Sequence, residues 1–141
     1  MAEGLLRFVA GHLFDVHSAG TVPAERVHPF AVQVMAEVGI DIGAAVPKSA
    51  AKYLGRLSVR QLIIVCEPEE KQSPRIFPGA MTREIWELKD PSDFEGPSDE
   101  MLVRFRQTRD EISHLITQWL SRFPSKTRAS RAQLDRIGSG K

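Results

Sequence analysis

Six consecutive residues, Gln61-Leu-Ile-Ile-Val-Cys66, constrain this chain more than any other feature. An unbroken run of branched apolar residues reads as a strand covered on both faces, and such strands belong to parallel sheets flanked by helices. A shorter strand is expected from Arg83 to Leu88 around Ile85 and Trp86, and another over residues 13–18, Leu-Phe-Asp-Val-His-Ser, ending at the turn Ala19-Gly20. Between these runs the apolar spacing turns helical. Leu5, Val9 and Leu13 fall on one face of a helix over residues 1–13. His28-Pro29 opens a second helix, because proline suits the first helical position. Ala31, Val34, Met35 and Val38 form its stripe, and Gly39 closes it. A short helix starts near Ser49, an N-cap residue, and carries Tyr53 and Leu54. The last begins near Pro97-Ser98-Asp99-Glu100, with acids where the helix dipole favours them. Its buried side takes Met101, Phe105, Ile112, Leu115, Ile116, Trp119 and Phe123. Helices interleaved with buried strands predict an α/β layered fold with a parallel sheet.

At 141 residues the chain has the length of one domain. No apolar run approaches the roughly 18 residues of a membrane span. The opening Met-Ala-Glu-Gly-Leu-Leu-Arg carries an early acid and lacks the apolar core of a secretory signal. The single cysteine, Cys66, cannot form an internal disulfide and fits a reducing cytoplasm. With His12, His17, His28 and His114 it gives no zinc spacing, and no phosphate-loop NTPase, dinucleotide or zinc-protease motif is present. The formal charge of +1 hides an asymmetry. Residues 124–141 hold five Lys and Arg against one Asp, a net +4 that leaves residues 1–123 at −3. This basic segment has few apolar residues and no aromatic interleaving, so it reads as a solvated, disordered tail in preference to an arm for nucleic acid or another anionic partner.

The order of several short motifs carries a resemblance. Met1-Ala2-Glu3-Gly4, Ser18-Ala19-Gly20-Thr21, His28-Pro29, Gly39-Ile40-Asp41-Ile42, Lys48-Ser49, Val65-Cys66, Phe77-Pro78-Gly79, Asp90-Pro91 and Arg106-x-x-Arg109-Asp110-Glu111-Ile112 follow one another with characteristic spacing. Over residues 1–120 the chain resembles the low-molecular-weight protein tyrosine phosphatase superfamily, on its arsenate reductase branch. The resemblance implies a three-layer, phosphotyrosine phosphatase I-like parallel sheet of strand order 2-1-3-4. It implies a cytoplasmic protein acting on arsenate or phosphate monoesters through a cysteine nucleophile, with no bound cofactor. Thioredoxin, or glutaredoxin with glutathione, would be the reductant. Membrane and nucleic-acid partners are not expected.

The departures from the family pattern are specific. In the family a first, central strand leads into a Cys-x5-Arg loop, and the Met-Ala-Glu helix follows directly. These 141 residues begin at that helix and contain no Cys-x5-Arg. The expectation is therefore a domain at 1–123 lacking its first strand, with no turnover by the chain as it stands; a true start upstream of Met1 belongs to the enzymatic reading alone. The loop would supply the thiolate, an arginine, and a nest of N–H groups that binds oxyanions and lowers a thiol pKa. Segments 13–18 and 61–66 would flank a slot: they pair directly, or another chain adds at the exposed strand edges and the protein self-associates, or the chain is unstable. The other class of reading is a non-catalytic binding or regulatory module, or a degraded remnant.

Two residues remain as site candidates. Asp90 resembles the family's general acid, which delivers a proton to a departing oxygen; a turn acid before proline is the structural alternative. Cys66 resembles the second cysteine of the thioredoxin-linked reductases, although Ser73 stands where a third would be. As a structural residue it is a small buried hydrophobe, and Glu67, Glu69 and Glu70 argue against a low thiol pKa. His17 reads as surface or core, His28 as a helix cap, Lys48-Ser49 as either a helix start or a pocket edge, and Trp86 and Trp119 as core.

Overall fold

The computed structural model describes residues 1–67 and 78–123. The expectations for Glu69, Glu70, Ser73 and Phe77, and for the tail at 124–141, lie outside the described residues. Within them the chain forms three α-helices, α1 (Ala2–Ala10), α2 (Pro29–Ala36) and α3 (Ser98–Leu120), and two strands, β1 (Gln61–Cys66) and β2 (Thr82–Glu87). Short 3-10 turns stand at Ala50–Lys52 and Pro91–Asp93. The fold is α/β with a small parallel sheet: β1 pairs with β2, with Gln61 opposite Thr82 and Cys66 opposite Glu87. Leu88 N–H donates to the Cys66 carbonyl at 3.0 Å, which carries the ladder one step past β2.

Each helix ends where its local chemistry changes. In α1 the Leu5 and Val9 side chains are fully buried, but Gly11 breaks the propensity and the helix stops short of the expected residue 13. Leu13 and Phe14 donate N–H bonds to the Ala10 carbonyl at 2.9 and 3.0 Å and turn the chain back onto the core. Phe14 then packs against Trp119 at 5.0 Å and Phe123 at 5.5 Å between ring centroids. Helix α2 is capped by His28, whose Nδ1 accepts the Phe30 N–H at 3.1 Å, as expected. It is closed by Gly39, which adopts φ 80° while Ile40 N–H returns to the Met35 carbonyl at 3.0 Å. That geometry is open to glycine at little cost.

One core joins these elements. Leu5 and Val9 of α1, Val34 and Met35 of α2, Trp86 of β2, and Phe105, Ile112, Ile116 and Trp119 of α3 are buried together. Trp86 and Trp119, each 3% exposed, are core residues. Register puts Ile63 and Trp86 on the same face of the sheet, the face that meets the helices.

Two expectations require correction. Residues 13–18 form no strand, because a strand is defined by its ladder and this segment has no partner among the described residues; it does not pair with β1. The segment instead turns and extends irregularly, anchored where Arg7 Nη2 donates to the Val16 carbonyl at 2.6 Å. Nor is β1 fully covered: Leu62 and Ile64, on the face away from the helices, are only half-buried, and Val65, on the same face as Trp86, is 42% exposed. Its apolar run is that of an interior strand, but it has a neighbour on only one edge among the described residues.

Candidate active site

A cleft of about 980 Å³ opens at the carboxyl ends of β1 and β2. Parallel α/β sheets bind ligands in this position, where the chain leaves the strands and loops diverge. Its walls are the first turn of α1, the Ser18–Gly20 loop, the segment from Ile40 to Lys48, the end of β1 at Val65–Glu67, and the loop Leu88–Pro91 after β2. No helix among the described residues is long and apolar enough to cross a membrane.

Both site residues proposed from sequence line this cleft. Cys66 is the last residue of β1; it is a free thiol and only 6% exposed. Its main chain is committed to the ladder, so the thiol sits at a strand end rather than at a helix N-terminus, where N–H groups would stabilise a thiolate. Asp90 starts the turn at Pro91–Asp93. Its Oδ1 accepts the Ser92 N–H at 2.8 Å and the Ser92 hydroxyl at 2.6 Å. Asp90 is thus a turn acid that also lines the cleft. The remaining candidates separate. Lys48 lines the cleft, while Ser49 Oγ accepts the Ala51 N–H at 3.3 Å and caps the turn at Ala50–Lys52. His17 lies outside the cleft lining, 3.0 Å from Asp15 Oδ2 and beside the ring of Tyr53.

Sequence reasoning missed a carboxylate that organises one wall. Glu3 accepts hydrogen bonds from the Ser18 hydroxyl and from Arg7, and Lys48 Nζ lies 3.4 Å from its Oε2. Burial alone would raise the Glu3 carboxyl, but the Ser18 hydrogen bond together with Lys48 and Arg7 outweighs it and holds the carboxyl below its usual range. The pairing of Glu3 with Arg7 was legible as an i,i+4 spacing; the contacts to Ser18 and Lys48 had no signal in sequence. Beside it, Gly20 bridges to Ser49: Gly20 N–H donates to the Lys48 carbonyl and Ala50 N–H to the Gly20 carbonyl, each at 2.9 Å. These bonds fasten the Ser18–Gly20 loop to the Lys48 segment. A second unforeseen residue is Glu67, whose Oε1 accepts the main-chain N–H of Asp90.

Comparison with known proteins places this sequence among two kinds of relative. The profile of the family described as low molecular weight phosphotyrosine protein phosphatase matches residues 1–129. An arsenate reductase of Halalkalibacterium halodurans is 35% identical over 116 residues, 82% of this chain and 81% of that protein. An arsenate reductase of Oceanobacillus iheyensis is 30% identical over 116 residues, with the same shares. An arsenate reductase of Bacillus subtilis is 29% identical over 119 residues, 84% of each chain.

Proposed function

The chain belongs to the low molecular weight phosphotyrosine protein phosphatase family, and from that membership we propose the chemistry of its arsenate reductases, with phosphate monoesters as the alternative substrates. The observation that carries the reading is the meeting of Cys66 and Asp90 at one cleft, from the ends of adjacent parallel strands. Asp90 is assigned the proton that a departing oxygen of arsenate or of an ester requires. Cys66 is assigned the redox step after attack: its thiolate attacks the sulfur of the cysteine–arsenate adduct, the S–As bond breaks with its electron pair leaving on arsenic as arsenite, and the resulting disulfide is reduced by thioredoxin, or by glutaredoxin with glutathione. These reductants belong to a reducing cytoplasm, where the protein is assigned. The reaction needs no resident cofactor.

The attacking thiol is not among these 141 residues. Their one cysteine is Cys66, and Gln72 occupies the position where a Cys-x5-Arg motif built on it would need arginine. By themselves the 141 residues therefore turn over neither substrate. The test compares this chain with one that carries a strand and a Cys-x5-Arg loop fused ahead of Met1, assaying arsenate reduction and p-nitrophenyl phosphate hydrolysis. The fused chain is expected to be active, and Asp90→Asn to lower its kcat by about 10²–10⁴-fold. Activity of the 141 residues that disappears in Cys66→Ser overturns the reading, as does full activity of the fused Asp90→Asn variant.

A further inference from the structure

The end of the β1–β2 ladder assigns a role to a residue outside the motifs. In a parallel ladder the N–H groups that face one neighbour recur every second residue. Leu88 N–H takes the Cys66 carbonyl at 3.0 Å. The next N–H on that edge is Asp90's. By that point β1 has ended at Cys66, and the Glu67 side chain takes the bond instead: its Oε1 accepts from Asp90 N–H. A carboxylate thus continues a row of main-chain acceptors.

We propose that Glu67 is a positioning residue for Asp90, fixing the turn that presents the Asp90 carboxyl to the cleft. Pro91 restricts the backbone just after Asp90, and Ser92 binds the Asp90 carboxylate, but both lie within the turn itself. Glu67 reaches in from the end of the neighbouring strand, 23 positions away in sequence. A carboxylate accepting a backbone N–H makes a charge-assisted bond, stronger than a neutral one. The same bond ties the segment that follows Cys66 to the segment that carries Asp90. The functional meaning of this role rests on the reading of Asp90 as the acid; the tie itself does not.

Amide hydrogen exchange on the 141-residue chain, followed by NMR at Asp90 and Leu88, tests the proposal in Glu67→Ala and Glu67→Gln. Glu67→Ala is expected to speed exchange at Asp90 by about tenfold. Glu67→Gln keeps an acceptor oxygen and is expected to stay within about threefold of the parent. Leu88, bonded to the Cys66 carbonyl, should keep its protection in both variants. Unchanged exchange at Asp90 in Glu67→Ala overturns the proposal. So does an equal loss at Leu88, which would mean a frayed ladder rather than a lost anchor. A fused Asp90→Asn enzyme of full activity would remove the acid assignment and leave the exchange result untouched, so the two failures are distinguishable.

Discussion

Arg109, only 3% exposed, donates from Nη1 to the main-chain carbonyl of Val34 at 2.8 Å. The last carbonyls of a helix lack intrahelical donors, and Val34 lies in the final turn of α2. Its natural donor, Val38 N–H, goes to Met35 instead at 3.1 Å, and Arg109 supplies the substitute from α3. The guanidinium also reaches Glu37 Oε2 at 3.1 Å and Asp110 Oδ1 at 2.8 Å. Arg109→Met keeps much of the volume but leaves the Val34 carbonyl buried without this partner. We expect a loss of about 2–4 kcal/mol in chemical denaturation. A loss below about 0.5 kcal/mol would show that water replaces the guanidinium at no cost.

Two carboxyls held low in the folded protein make its stability depend on pH. Glu37 is held below its usual range first by the hydrogen bond from Arg106, with contacts of 2.7 to 3.1 Å, and then by the charges of Arg106 and Arg109. Glu3 is also held low. For carboxyls depressed in the folded state, the unfolded chain binds more protons in the acid range, so stability rises with pH there. Their contribution is complete above the unfolded pKa of about 4.3 and is lost as pH falls through the folded values. Urea midpoints measured from pH 6 to pH 3 should fall, and Glu37→Gln should flatten the curve. An identical slope in that variant would remove Glu37 from the account.

These contacts show where sequence reading stops. Arg109 sits on the same α3 stripe as Phe105, Ile112 and Ile116, so its burial was readable from spacing, but its partner on α2 was not. Strand β1 was legible as a local apolar run, and β2 from the pair Ile85 and Trp86 within an otherwise polar segment. Residues 13–18 have the composition of a strand as well, yet a strand exists only when a neighbour completes its ladder, and composition is silent on that. The same limit explains β1, whose residues suit burial on both sides while Val65 remains 42% exposed. Cys66 and Asp90 were found through motif order, and their convergence follows from two parallel strands ending at the same level. Glu67 was read only as a neighbour of Cys66; its bond to Asp90 had no signal because the partner lies 23 residues away.

The free side of β1 should govern behaviour in solution. Two-stranded sheets are marginal on their own, and an unpaired edge is a template for another chain. Among the described residues β1 is paired only with β2. We expect the 141-residue chain to sediment as concentration-dependent oligomers and to unfold at low temperature. Val65→Lys, at an exposed position on that strand, should shift the population toward monomer. A monomeric parent with a sharp, high-temperature transition would contradict this.

Gly4 sets two energies against each other. It lies inside α1, where replacing glycine by alanine normally stabilises by about 1 kcal/mol. Here a Cβ would stand 2.8 Å from Ile42 Cγ2 and 3.2 Å from Met35 Cε. Met35 is fully buried and Ile42 is 8% exposed, so neither side chain can retreat into solvent. Met35 is unbranched and can yield, but Ile42 is β-branched and stiff at χ1. Overpacking of this kind costs about 1–3 kcal/mol, which exceeds the propensity gain. Gly4→Ala should therefore destabilise by up to about 2 kcal/mol in urea denaturation. The companion variant Gly4→Ala/Ile42→Val keeps the branch and its Cγ2 contact, whereas Gly4→Ala/Ile42→Ala removes the clashing methyl. Relative to Ile42→Ala alone, the added Gly4→Ala should then be neutral or stabilising, since the remaining 3.2 Å contact is to the unbranched Met35, which can shift toward the space Ile42 vacates.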